Sequence, residues 1–399
     1  MMKPLVAVLA CLIVGVGAQP VPDSSTAANA LAQPYAQFGF DVLRELASQR
    51  RDRNIFISPT SIAVALAMTS NGANSTTRDA ILRTLHSDAQ PLEAFNAANR
   101  ALAEQIANTT AVQLSMANAL WVQQGFPVNP SFAEALQSDY AAQAENLNFR
   151  DPGSAQTINA WVAKRTNDRI QKIIDQVDPS TVAMLTNAIA FKGKWSLPFD
   201  PKETQPHDFK TANNTVRKVP MMKQSAEYGY ANANGLETIR LPYADGTFAM
   251  YIVLPQDPGA MPSFLQHLTA GTFTTLASSL HMQRGTIELP RFTITYDATL
   301  NTALKKLGMG IAFSGSADFA GIHKGPRMQI SEVRHASFLK VDEEGTEAAA
   351  ATSVGIRPTV ARIEPPPFHM VVDHPFFLAI RDERSGQLLF AGTIMDPLT

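Results

Sequence analysis

The order in which hydrophobic periods change along this chain narrows its fold more than any other feature. Apolar residues recur at helical spacing in the first half and turn to strand patterns in the second. Tyr35, Phe38, Val42, Leu43 and Leu46 fall on one face of an amphipathic helix. Ser58-Pro59 supplies an N-cap followed by proline at the first helical position. It opens a run in which Ile62, Ala65, Leu66 and Thr69 share a face, stopping near Gly72. Ile158, Trp161, Val162 and Ile170 form a third stripe, interleaved with Lys164, Arg165 and Arg169. Residues 236–254 then read as two strands joined by a turn at Ala244-Asp245-Gly246. A β-branched run follows over 286–296, a short helix over 299–307 and a strand over 336–341. Residues 376–380 and 388–394, with a polar turn between, make a final hairpin. Helices first and strands later, without regular βαβ alternation, predict an α+β fold with large antiparallel or mixed sheets.

The chain has 399 residues, 45% of them hydrophobic, ample for a large core. That length suits two or three domains, although single domains of this size exist, and no Gly/Ser linker or tandem repeat divides the chain. The formal net charge of -2 argues against a nucleic-acid protein, and the densest basic run, Arg50-Arg51-Asp52-Arg53, reads as a solvated loop. Residues 1–18 read as a secretory signal: Lys3, an apolar run from Leu5 to Val16, then small residues at Gly17-Ala18. The run is too short to span a bilayer comfortably. The sole cysteine, Cys11, lies inside it, where Val8-Leu9-Ala10-Cys11 loosely resembles a bacterial lipoprotein box. Secretion is the favoured reading, with a periplasmic or lipid-anchored product as the bacterial alternative. A chain cut at residue 18 has no thiol, so packing alone must hold it together.

Residues 341–361, VDEEGTEAAAATSVGIRPTVA, follow a strand and precede Pro365-Pro366-Pro367. Composition allows an Ala-rich helix with acidic residues at its start. Alternation points elsewhere. Thr346, Ala348, Ala350, Thr352, Val354 and Ile356 carry no charge, while Glu347 and Arg357 fall on the opposite parity. As a strand the segment has one small apolar face and one that can meet water. Such side chains can slide between existing strands without overpacking, and Gly345 frees the backbone at the base.

Glu343-Glu344-Gly345-Thr346-Glu347-Ala348-Ala349-Ala350-Ala351-Thr352 resembles, almost residue for residue, the hinge of the inhibitory serpins. Three further blocks agree in order and spacing. Asn54 to Ile62, NIFISPTSI, resembles the family's first strand-to-helix block. Asn187 to Trp195, NAIAFKGKW, with Phe199 and Thr204, resembles its central signature. Asp373-His374-Pro375-Phe376-Phe377 through Gly392 and Pro397 resembles its C-terminal signature. The likeness covers nearly all of the chain after the leader and implies a serpin-like single domain over 19–399 with an exposed reactive loop at about 343–364.

That resemblance implies a mechanism. A serine protease takes the loop as substrate, and after its serine attacks, the cleaved loop inserts into a central sheet and carries the ester-linked enzyme with it. Insertion by this family is itself a type case of strand addition and released strain. The resemblance places Ser58, Asn187 and His335 in a polar cluster under the centre of the sheet, and Trp195 at the top, where insertion starts. Counting from the hinge puts the reactive bond between Thr359 and Val360, which suits an elastase-like or subtilisin-like target. Arg362-Ile363 is the trypsin-like alternative, and Arg357 is followed by Pro358, which blocks most serine proteases.

The resemblance implies no cofactor, no metal, no membrane partner and a monomer. Residues 92–107, where some relatives carry a basic heparin-binding helix, have only Arg100 as a base, so no glycosaminoglycan dependence is expected. An enzyme reading finds no G-x-S-x-G elbow, no H-E-x-x-H and no histidines at ligand spacing. The competing reading is a non-inhibitory serpin, a carrier or chaperone; its hinge would carry bulky, charged or proline residues, whereas between Gly345 and Ile356 the only charge is Glu347.

Overall fold

The computed structural model describes residues 24–345 and 366–399. Fourteen strands run through them. In chain order they are β1 (Ile55–Ile57), β2 (Val112–Gln123), β3 (Gln143–Leu147), β4 (Ala183–Gly193), β5 (Gln205–Lys210), β6 (Val216–Ala233) and β7 (Leu236–Tyr243). Then come β8 (Phe248–Pro255), β9 (His281–Pro290), β10 (Phe292–Thr299), β11 (Glu332–Val341), β12 (Phe368–Val371), β13 (Phe376–Asp382) and β14 (Leu388–Ile394). Five form a sheet in the order β10-β11-β4-β2-β3, and the other nine form a second. In the larger sheet the order is β1-β14-β13-β8-β7-β6-β9-β12, with β5 also pairing β6.

Several local rules act as the sequence suggests. Ser58 caps helix Pro59–Ser70 by accepting the Ser61 N–H at 3.1 Å, with Pro59 at the first turn. Helix Ala32–Gln49 buries Tyr35, Phe38, Val42, Leu43 and Leu46. The hairpins β7–β8 and β13–β14 turn where the sequence predicts, Gly246 and Gly386 taking positive φ.

Other expectations change. Helix Pro59–Ser70 has no exposed face, for all twelve of its residues are buried. It packs against β2, β4 and β14, so it is enclosed rather than amphipathic. Ile170 lies beyond helix Ser154–Arg165, although it joins Ile158 and Val162 in the same core. The run over 286–296 is two strands broken at exposed Arg291, whose N–H bonds the Pro220 carbonyl at 2.8 Å. The helix expected over 299–307 is only Asn301–Leu304, then a wider turn to Met309, because Gly308 sits at φ 114. The largest departure is that β2, β3 and β4 lie in the half read as helical. Strand β4 is buried at every position but Lys192, and β2 at every position from Ala117 to Val122. A strand covered on both faces shows an apolar run instead of alternation, and its period cannot announce it.

Candidate functional site

The chemistry of interest lies along one seam of the five-stranded sheet. Strands β11 and β4 are neighbours and run parallel, from Glu332↔Met184 to Phe338↔Ala190. Beyond that pair the ladder stops. Residues 191–193 of β4 stay paired with β2, and residues 339–341 of β11 with β10, but not with each other. The seam is zipped below and open above.

Below, the sequence places a polar side chain on each facing element, all of them fully or almost fully buried. Asn187, on β4, points at helix Pro59–Ser70, donating to the Ser61 carbonyl at 3.0 Å, the Ser61 hydroxyl at 2.5 Å and Asn118 Oδ1 of β2 at 2.5 Å. His335, on β11 opposite Asn187, sets Nδ1 2.6 Å from Asn187 Oδ1. Its Nε2 faces the Ser58 backbone N–H at 3.3 Å. That N–H can only donate, so Nε2 accepts and the ring proton sits on Nδ1. A second proton would set donor against donor in a dry site. Burial accordingly pushes the His335 imidazole down to a pKa of about 3. Ser337, two residues on, donates to the Phe56 carbonyl at 2.5 Å. The cluster thus ties three strands of the sheet to the residues on either side of the Ser58 cap.

Above, the chain leaving β11 folds into a four-residue turn. Asp342 and Gly345 exchange both backbone hydrogen bonds, at 3.3 and 3.2 Å, so the chain doubles back at Glu343-Glu344. The segment that continues β4 holds this turn. The Trp195 and Phe199 N–H groups donate to the carbonyls of Glu344 and Glu343 at 3.2 and 2.7 Å. The Trp195 indole N–H donates to the Asp342 carbonyl at 2.9 Å while its ring stacks on Tyr243, centroids 4.4 Å apart. Gly345 has φ 110, and a Cβ there would lie 2.4 Å from the Gly193 carbonyl oxygen, so only glycine fits. Glu343 is buried, its carboxylate taking the Thr204 hydroxyl at 2.7 Å and Arg291 at 3.4 Å.

Of the residues that the resemblance singled out, Ser58, Asn187 and His335 lie together, and Trp195 lies apart at the open end. The expected exposed loop does not begin at residue 343, because Glu343 and Gly345 are buried. Thr346, Glu347, Ala348, Ala349, Ala350, Ala351 and Thr352 lie outside the described residues, as do Arg357, Thr359, Val360, Arg362, Ile363 and the expected leader. Sequence reasoning missed Asn118 and Ser337, whose polar atoms carry no motif, and the partners Arg291 and Tyr243; Ser61 and Thr204 lay within the quoted blocks but had no role assigned. Arg100, the one base of helix Leu92–Ala107, is tied to Asp139 at 2.7 Å. Among the described residues no acidic, histidine or cysteine cluster could hold a metal ion, and no helix is long and apolar enough to cross a membrane.

This architecture is the serpin fold. The family described as Serpin (serine protease inhibitor) matches residues 33–397, and the chain belongs to that family. It is 32% identical to neuroserpin of Gallus gallus, over 94% of each chain. The structure of mouse protein-Z dependent protease inhibitor superposes with a TM-score of 0.84 at 27% identity, covering 94% of this chain and all of that one. Human thyroxine-binding globulin, solved in complex with thyroxine, gives 0.83 at 26% identity, covering 94% and 100%. A protease inhibitor and a thyroxine-binding protein thus share the fold.

Proposed function

We propose that this protein is a secreted inhibitor of serine-type endopeptidases that acts once, as a suicide substrate. The half-open seam with a doubled-back turn at its mouth carries this reading. Strands β4 and β11 run parallel, and the chain leaves β11 already reversed. A continuation inserted between them is therefore antiparallel to both. One parallel ladder of seven register pairs is exchanged for two antiparallel ones. About ten added hydrogen bonds at a net 0.5–1.5 kcal/mol each give roughly 5–15 kcal/mol, the scale of a whole domain's stability. Ordering the loop offsets part of this at about 1–2 kcal/mol per residue, so burial of the small apolar face must supply the remainder. While the loop is tethered at both ends the protein stays in a kinetically held state. Cleavage at Thr359-Val360, or at the alternative Arg362-Ile363, frees one end. An elastase-like or subtilisin-like enzyme fits the first bond and a trypsin-like one the second. Residues 1–18 act as the secretory leader, and the product is an extracellular monomer that needs no cofactor.

Incubation with a protease panel, denaturing electrophoresis and mass mapping of the released C-terminal peptide tests this directly. A covalent complex and a new N-terminus at Val360 are expected. The likeness to thyroxine-binding globulin favours the carrier reading instead, and heating separates the two. Loop-cleaved protein should melt about 10 °C or more above intact protein. No gain in melting temperature and no covalent complex would overturn the inhibitor.

A further inference from the structure

The segment between β11 and β12 has a second end, and its fastening is chemically different from the first. Among the described residues, strand β12 joins the sheet through only one neighbour, pairing β9 from Phe368↔Gly285 to Val371↔Glu288. Phe368 lies on Gly285, where a Cβ would fall 2.2 Å from the ring, and stacks on Tyr230 at 3.9 Å. The next N–H, of Val372, donates to the Glu288 carbonyl at 2.9 Å. Between this thin edge strand and β13, which is buried at every position but Arg381, stands His374, whose side chain is 12% exposed. Its Nδ1 lies 2.7 Å from Asp373 Oδ1, and its Nε2 lies 2.7 Å from the carbonyl oxygen of Pro255, at the end of β8. Both atoms can only accept. A neutral imidazole has one N–H and satisfies one of them; the imidazolium satisfies both, through short charge-assisted bonds.

We infer that His374 is a positioning residue, an imidazolium staple that fastens the C-terminal root of the reactive loop to the body of the larger sheet and loosens when it loses its proton. Asp373 faces the ring from its own segment and Glu237 from β7; His207 of β5 faces Asp373, and Pro255 brings no charge. Partial burial works against the charged ring, but the bonds to Asp373 and Pro255 and the charge of Glu237 outweigh it, and its pKa is raised above 6.5. A group raised in this way holds its contribution at low pH and loses it as pH climbs through the folded value. Elsewhere on β12, His369 pairs with Glu288, which also binds Lys223, but that contact is on the exposed face.

The consequence rests on the inhibitor reading. An uncleaved loop is tied to β11 at one end and β12 at the other, so it can fill the seam only if β12 peels away. The staple then sets how fast intact inhibitor spends itself, and that loss should be faster at pH 8.5 than at pH 6.5. His335 takes no part here, because it is neutral throughout this range.

Hydrogen–deuterium exchange of residues 366–375 in the full chain, corrected for intrinsic exchange rate, tests the staple without any protease. Protection of the Val372 amide should fall several-fold from pH 6.5 to 8.5, as the ring loses its proton. His374→Gln should be poorly protected at every pH, and His374→Arg, a permanent cation, well protected at every pH. His369→Gln should keep the wild-type slope. A flat wild-type profile, or a slope that survives in His374→Arg, overturns the inference. If the slope is present but no protease is ever bound, the staple stands and the inhibitor reading fails; if trapping occurs without the slope, only the staple fails.

Discussion

The two halves of the β4–β11 seam are built from opposite materials. The lower half has a continuous backbone ladder, and behind it the side chains of Asn187, His335 and Ser61 meet one another in a dry site. The upper half has no ladder between the strands. A glycine turn, an indole stacked on a phenol and one carboxylate occupy it instead. A buried polar network is costly to break because each orphaned group must lose its partner without water to replace it. An unpaired edge has no such cost, since its backbone groups await a strand. On the proposed mechanism the upper half is where insertion starts and the lower half is what it must force apart.

The sharpest way to break the comparison is to make the entering strand unable to enter. Thr346 is the first residue after the turn, on the uncharged parity of the segment. Thr346→Arg would bury an unpaired guanidinium, a cost of several kcal/mol against a gain of similar size. Covalent trapping should vanish and the chain should be cleaved as an ordinary substrate, read from the ratio of complex to cleaved product on a denaturing gel. Undiminished trapping would mean that this parity does not face the core.

Weakening the lower half should come next in size. Asn187→Ala strands His335 Nδ1–H, Asn118 Oδ1 and the Ser61 carbonyl together. A loss of about 2–4 kcal/mol is expected in chemical denaturation, with faster loss of inhibitory capacity at 37 °C. An effect below about 1 kcal/mol would show that the zipped half is not the barrier.

Acid attacks the same half. His335 is neutral in the fold, with a pKa of about 3, and close to 6.5 when unfolded. The unfolded chain therefore binds the extra proton between those values, and stability falls as pH drops below about 6.5. Each pH unit costs up to about 1.4 kcal/mol, so roughly 2–3 kcal/mol is gone by pH 4.5. Denaturation at pH 7.5 and 4.5 measures it, and His335→Gln should flatten the difference.

How much of this could be read beforehand differs between the halves for a physical reason. The upper half is made of residues whose backbone demands leave a local signature, such as Gly345 in its turn. The alternation of small residues that follows it stays an expectation, for Thr346 to Thr352 lie outside the described residues. The lower half depends on Asn118 meeting Asn187, 69 positions away, and on Ser337 reaching Phe56, 281 away. No period encodes those meetings. Ser58, Asn187 and His335 entered through the family likeness, while Asn118 and Ser337 did not, because a polar residue on a doubly buried strand looks like an interruption until its partner is seen. The same cause hid β2 and β4.

The smallest effect tests whether charge or packing holds the upper half shut. Glu343 is buried, but its partner Arg291 is 49% exposed and 3.4 Å away, so water screens the pair. Glu343→Gln keeps an acceptor for the Thr204 hydroxyl and removes only the charge. A loss below about 1 kcal/mol, or roughly 1–2 °C in melting temperature, is expected. The gap from wild type should narrow further in 1 M salt, where the screening length is about 3 Å. A larger loss that salt does not touch would mean that the carboxylate itself pins the turn. The contrast between a polar lock below and a packed, nearly charge-indifferent latch above would then have to be given up.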